Sequence, residues 1–200
     1  MTKIKLCGLS RPCDIEAANE LMPEYIGFVF APKSRRYVSP EQAAALKEQL
    51  NPAIKAVGVF VNEAPETIAT YLKDEIIDIA QLHGKESETY IQQLRSLTGK
   101  PLIQAFRIDT EQNIETANAS SADYILLDSG EGGTGTAFDW HLLRQINRPY
   151  FLAGGLTPHN IEDTVRTLTP YVVDVSSGIE TDGYKDRNKM TAFVNNVRKS

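Results

Sequence analysis

Eight short runs of β-branched, aromatic and aliphatic residues alternate with helix-like stretches along this chain, and that alternation restricts its fold more than any other feature. The strand-like runs are residues 4–7, 25–30, 54–60, 77–83, 102–107, 123–128, 149–153 and 171–176. Apolar periodicity near 3.6 predicts helices over residues 12–21, 40–50, 63–72, 86–97, 138–146, 158–168 and 186–198. Residues 111–119 predict a weak helix, short or partly irregular, because Asn113, Thr116 and Asn118 are poor helix formers. Ser39-Pro40-Glu41 and Thr157-Pro158 each place a capping hydroxyl before a proline suited to the first helical position. The unit repeats at roughly 21 to 29 residues, the spacing of a βα unit, which predicts a small (β/α)8 TIM barrel near its minimum length. A doubly wound sheet is the rival. It usually needs fewer strands, and no Gly-x-Gly-x-x-Gly follows the first strand here.

No linker or low-complexity segment interrupts the pattern, so residues 1–200 are expected to form a single barrel domain. Net charge is −5, which gives no global basic field for nucleic acid or an anionic membrane. No apolar run approaches the roughly 20 residues of a membrane span. Met1-Thr2-Lys3 leads directly into a strand, with no signal-peptide core. Cys7 and Cys13 could form one bridge that would staple little, so both are read as free thiols of a cytoplasmic protein. The two cysteines and His83, His141 and His159 lack zinc spacing, and no metal site is expected. Charge and loop ends suit a monomer or a homodimer, with a slight lean to monomer.

In such barrels chemistry sits at the carboxyl ends of the strands. Cys7 ends the first strand and Asp128 the sixth, so a thiol and a carboxyl can face each other across one small-molecule substrate. A thiol base opposite a carboxylic acid moves protons within one molecule, which makes isomerisation the leading reading. From position alone each has a plain alternative. A cysteine ending a buried strand is commonly a small hydrophobe, and Asp128 could cap a helix or bond a loop. Lys5 shares the strand parity of Cys7 and needs a partner inside the barrel, for which Asp174 on the neighbouring strand is the candidate.

Gly154-Gly155 follows the seventh strand and Ser176-Ser177-Gly178 the eighth, a pair of loops with which barrels commonly bind phosphate. Small residues there let backbone N–H groups approach an anion, and a following short helix adds its positive end. Arg36, in Lys33-Ser34-Arg35-Arg36, could fork a carboxylate or could belong to a solvated basic loop. His83 reads more readily as a core-edge histidine bonded to a backbone carbonyl than as a proton carrier. His141 and His159 fall on predicted helix surfaces, and Cys13 reads as structural. The glycine-dense segment 130–136 could close over a ligand or serve as a flexible turn.

Lys3-Ile4-Lys5-Leu6-Cys7-Gly8-Leu9-Ser10, Gly27-Phe28-Val29-Phe30-Ala31-Pro32-Lys33-Ser34-Arg35-Arg36-Tyr37 and Val57-Gly58-Val59-Phe60-Val61-Asn62 resemble segments of the phosphoribosylanthranilate isomerase family of tryptophan biosynthesis. So do Gln81-Leu82-His83-Gly84, Leu126-Leu127-Asp128, Gly132-Gly133-Thr134-Gly135 with Phe138-Asp139-Trp140, Ala153-Gly154-Gly155-Leu156 and Asp174-Val175-Ser176-Ser177-Gly178-Ile179-Glu180. They occur in the family's order across almost the whole chain. Leu6 and Leu9-Ser10 stand where the family often has isoleucine and Ile-Thr.

The resemblance implies an aldose–ketose isomerase that carries out an Amadori rearrangement of a phosphoribosyl substrate without a cofactor. Asp128 would be the general acid and Cys7 the base. Arg36 would hold the anthranilate carboxylate, and Gly154, Gly155, Ser176, Ser177 and Gly178 would take the phosphate. His83 joins the substrate-binding set through its motif. Two rivals remain at this level. The related histidine-pathway phosphosugar isomerase uses an aspartate where this chain has Cys7 and binds two phosphates, and a non-catalytic phosphate-binding barrel would need neither Cys7 nor Asp128.

Overall fold

The computed structural model describes residues 1–108, 110–128 and 143–200. The barrel strands are β1 (Lys3–Cys7), β2 (Tyr25–Val29), β3 (Lys55–Phe60), β4 (Ile79–Leu82), β5 (Leu102–Arg107), β6 (Tyr124–Asp128), β7 (Tyr150–Ala153) and β8 (Val172–Val175). All eight pair in parallel with their sequence neighbours, and β1 pairs with β8 to close the barrel. The (β/α)8 expectation is met.

Seven helices occur among the described residues: α1 (Pro12–Leu21), α2 (Pro40–Glu48), α3 (Pro65–Lys73), α4 (Glu88–Leu97), α5 (Glu111–Ala119), α6 (Ile161–Leu168) and α7 (Arg187–Lys199). A three-residue 3-10 turn (Ser177–Ile179) and a two-stranded hairpin, β9 (Glu180–Thr181) with β10 (Tyr184–Lys185), intervene between β8 and α7. The helix expected over residues 138–146 falls largely on 129–142, outside the described residues, as do His141 and the glycine-dense segment 130–136.

Strand parity sorts the core into two layers. Ile4, Leu6, Ile26, Phe28, Phe60 and Leu127 point outward and pack with helix residues such as Ile68, Leu94 and Phe193. Tyr25, Val57, Ile79, Ile103, Leu126, Phe151 and Val172 fill the interior from the other side of the same strands. At the amino-terminal mouth Tyr124 stacks on Tyr171 at 5.9 Å, and Lys3 Nζ donates to the Tyr171 hydroxyl at 2.6 Å. The floor is therefore packed, and the opposite mouth is left for ligand.

Two local expectations need correction. The segment 111–119 is a regular helix, because Thr110 and Asn113 cap it reciprocally and Ile114 and Ala117 are buried beneath it. The helix predicted from Pro158 starts at Ile161 instead. Asn160 Oδ1 accepts from the Thr157 N–H at 2.8 Å and its Nδ2 donates to the Gly155 carbonyl at 2.9 Å, which holds Pro158 to Asn160 as a turn. His159 lies exposed in that turn rather than on a helix. Ser39 does cap α2, accepting from the Gln42 N–H at 3.2 Å.

Candidate active site

A cleft of about 660 Å³ opens at the carboxyl ends of the strands. Cys7, Arg36, His83, Asp128, Gly154, Gly155, Ser176 and Ser177 all line it. Of the nine site residues expected from the sequence, Gly178 alone lies behind the lining. A Cβ there would meet the Leu156 carbonyl oxygen at 1.8 Å, so glycine is what lets the β7 and β8 loops pack against each other. Gly154 and Gly155 adopt φ of 91° and 61°, the left-handed region that glycine enters without strain.

Beneath the cleft Lys5 is fully buried, and its ammonium donates to Asp174 Oδ2 and Gln81 Oε1, both at 2.7 Å. Its third neighbour is Cys7 Sγ at 3.5 Å. Burial alone would lower the Lys5 pKa, but the negative charges of Asp174 and Cys7 outweigh it and raise it, so Lys5 is a permanent cation. The expected Lys5–Asp174 pair is present. Asp174 Oδ1, buried at the cleft floor, has no hydrogen-bond partner among the described residues.

Burial pushes the Cys7 thiol up. Lys5 pulls it down, Asp174 pushes it up again, Lys185 pulls it down, and the net direction is upward. The thiolate in the empty cleft is thus held back by desolvation and favoured by two cations. Cys7 is buried and Cys13 exposed, and both are free thiols. Cys13 therefore adds nothing to the core, contrary to the structural role expected of it.

Arg36 is part of no solvated basic loop. Its Nε and Nη2 donate to Glu180 Oε1 and Oε2 at 2.6 and 2.8 Å, a side-on fork. Room for its stem comes from Gly8, where a Cβ would lie 2.5 Å from Arg36 Cδ. Lys185 donates to the same Glu180 Oε1 at 2.5 Å and to the Ser176 carbonyl at 3.0 Å. Burial would raise the Glu180 carboxyl, but the hydrogen bonds from Arg36 and Lys185 hold it below the usual range. The Arg36 fork that was expected to meet a substrate carboxylate is thus occupied along one edge. The end of the guanidinium bearing Nη1 is the edge left to face a ligand.

His83 departs from expectation. Its Nδ1 lies 2.9 Å from the Gln81 side-chain amide, not at a backbone carbonyl, and its Nε2 lies 3.5 Å from Asp128 Oδ2. Gln81, Glu180 and Lys185 are the site residues that sequence reasoning did not single out. Asp182-Gly183 is the signal for the last two, since an Asp-Gly pair marks a tight hairpin turn, and both residues here have positive φ.

The model of the family described as N-(5'phosphoribosyl)anthranilate (PRA) isomerase matches residues 4–196. The chain belongs to the N-(5'-phosphoribosyl)anthranilate isomerase family. A relative of that name from Thermoanaerobacter sp. (strain X514) is 43% identical over 204 residues, covering 99% of this chain and 98% of the relative. The crystal structure of phosphoribosyl anthranilate isomerase from Thermotoga maritima superposes with a TM-score of 0.90 at 35% identity, each chain fully covered. A phosphoribosyl anthranilate isomerase in complex with reduced 1-(o-carboxyphenylamino)-1-deoxyribulose 5-phosphate gives a TM-score of 0.88 at 34% identity, again over all of both chains. Family membership and Cys7 at the end of β1 set aside the histidine-pathway isomerase and the non-catalytic barrel.

Proposed function

We propose that the protein converts N-(5'-phosphoribosyl)anthranilate to 1-(2-carboxyphenylamino)-1-deoxyribulose 5-phosphate, with Asp128 as general acid and Cys7 as general base. The observation that carries this reading is the placement of both residues on one cleft that also holds Arg36 and the two small-residue loops. A substrate with an anion at each end fits that axis. Its phosphate would lie on the Gly154-Gly155 and Ser176-Ser177-Gly178 loops, and its aromatic carboxylate toward Arg36.

Protonated Asp128 gives its proton to the ribose ring oxygen. The C1'–O bond breaks while the anilino nitrogen lone pair forms C1'=N, opening the ring to a Schiff base. The Cys7 thiolate then takes the proton from C2', and the released electron pair forms C1'=C2', discharging the nitrogen. The enolamine loses its O2' proton and gains one at C1', giving the ketone. Asp128 ends as carboxylate and Cys7 as thiol, and solvent returns one proton from thiol to carboxylate. No electrons are exchanged with an external carrier, so the steps need no cofactor.

All the residues named come from one chain, which supports a site complete in a monomer, and residues 1–200 are read as one catalytic domain. Two free thiols, one of them the base, suit a reducing cytoplasm. No helix among the described residues is long and apolar enough to cross a membrane. The test is to mix the purified protein with freshly generated phosphoribosylanthranilate and follow its anthranilate fluorescence. Loss no faster than spontaneous decay refutes the reading.

A further inference from the structure

We propose that Gln81 is a positioning residue that fixes the ring proton of His83 on Nε2, so that the imidazole presents an N–H to Asp128. The inference deepens the acid role just assigned to Asp128 and rests on it.

Gln81 is 1% exposed and lies inside the barrel, above Ile79 on the same strand. A glutamine there is disfavoured unless both ends of its amide are bonded, and both are. One end faces Lys5 Nζ at 2.7 Å. An ammonium has only protons to offer, and this one is held charged by Asp174, so the atom facing it is the carbonyl Oε1. The reversed amide would set NH₂ against ammonium with no room for water between them. The amide orientation therefore follows from the charge on Lys5.

The NH₂ end must then face His83 Nδ1, 2.9 Å away, and it can only donate. Nδ1 is the acceptor. A neutral imidazole carries one proton, which is left to Nε2. That nitrogen stands 3.5 Å from Asp128 Oδ2, a separation that a small ring rotation closes to a hydrogen bond in a loaded site. A donor at Oδ2 requires that oxygen to accept, so the acid proton of Asp128 belongs on Oδ1. Once the proton has gone to substrate, the same N–H stabilises the carboxylate left behind. The groups around this string are Lys5, Cys7 and Asp174 on β1 and β8, and Arg107, which is the register partner of Asp128 on β5 and also lines the cleft.

The consequence is a hydrogen-bonded line from base to acid. Lys5 touches Cys7 at one end, and Lys5, Gln81 and His83 lead in turn to Asp128 at the other. A plain structural account would have Gln81 do no more than satisfy Lys5.

Gln81→Glu separates the two accounts. It keeps the shape of the side chain and the acceptor for Lys5, but replaces the donor facing Nδ1 with an oxygen that demands a proton there. Ring ¹⁵N NMR, with the His83 signals assigned by their loss in His83→Asn, reads the tautomer directly. The wild-type protein is expected to show Nε2 as the protonated nitrogen and Nδ1 as the bare one. In Gln81→Glu, Nδ1 becomes protonated, and kcat falls about tenfold or more while KM stays within about twofold, as when a histidine's orienting partner is changed. A Gln81→Met variant, which removes donor and acceptor together, gives a mixture of tautomers. A wild-type His83 protonated on Nδ1 overturns the proposal, and so does an unchanged ring spectrum or an unchanged kcat in Gln81→Glu. Wild-type protein with the Nε2 proton but no turnover of phosphoribosylanthranilate would sink the isomerase reading and the positioning role with it. The tautomer assignment would stand.

Discussion

Gly27 is the register partner of Cys7 across β1 and β2, and a Cβ at Gly27 would lie 2.6 Å from Cys7 Sγ. The absent side chain is therefore what gives the thiol its position. Gly27 does not occupy a left-handed φ, so alanine is conformationally acceptable there and the clash falls mainly on Cys7. Gly27→Ala is expected to lower kcat about a hundredfold, the order of loss that an ångström of misplacement causes, while the folded state persists. Wild-type kcat in a well-folded Gly27→Ala protein would show that the thiol position is unimportant.

Replacing the two proton carriers should separate binding from turnover. Cys7→Ser and Asp128→Asn are each expected to lower kcat by about 10²- to 10⁴-fold, with product-analogue affinity in calorimetry little changed. Unchanged turnover in both would remove the basis of the mechanism.

Lys5 joins stability to chemistry. Lys5→Met leaves Asp174 charged and unpaired in the barrel, a loss of about 3–5 kcal/mol by urea unfolding. Adding Asp174→Leu restores much of that without restoring activity. The pH dependence follows from the sign of the Cys7 shift. Burial raises the thiol above its ordinary value, so the thiolate fraction, and with it kcat/KM, grows as pH rises through neutrality into the alkaline range. Removing the Lys5 charge raises the thiol further and should move that limb to higher pH. A limb that moves to lower pH, or not at all, contradicts the electrostatics described here.

Glu180 holds one edge of Arg36 and leaves the other for ligand. Glu180→Gln loses the ionic fork, and Arg36 then samples orientations that do not face the cleft. KM is expected to rise about tenfold with kcat nearly preserved, the pattern of a lost ground-state contact. A fall in kcat at constant KM would instead place Glu180 in the proton transfers.

How far the sequence anticipated this arrangement depends on the range of each interaction. Strand parity alone put Lys5 beside Asp174 and aimed Cys7 and Asp128 at one mouth, since alternation is a local rule and neighbouring strands enforce it. The Gly-Gly and Ser-Ser-Gly loops were legible because phosphate sites reuse backbone geometry. Gln81 was not, because its partner on β1 is three strands away and meets it only through the barrel interior. Lys185 was hidden in a hairpin inserted after β8, where its pairing with Glu180 depends on a turn rather than on a repeat. The Thr110–Asn113 box escaped notice because Asn113 was weighed as a poor helix former, not as a cap.

The phosphate half of the site gives the last test. A Cβ at Gly178 would sit 1.8 Å from the Leu156 carbonyl oxygen and 3.1 Å from Thr157 Cα. Both are backbone atoms, which cannot step aside as a flexible side chain can, so in Gly178→Ala the β7 and β8 loops must part. If those loops bind the phosphate group, inorganic phosphate competes with substrate in the wild-type protein. Its inhibition constant and the substrate KM then rise together in the variant, by about tenfold or more. Ser177→Asp covers the case in which Gly178→Ala does not fold. Ser177 is exposed at the lip of the cleft, so a carboxylate there adds like charge without a backbone clash and should raise the same two constants. Phosphate inhibition that is absent from the wild type, or unmoved by Ser177→Asp, would place the phosphate of the substrate elsewhere.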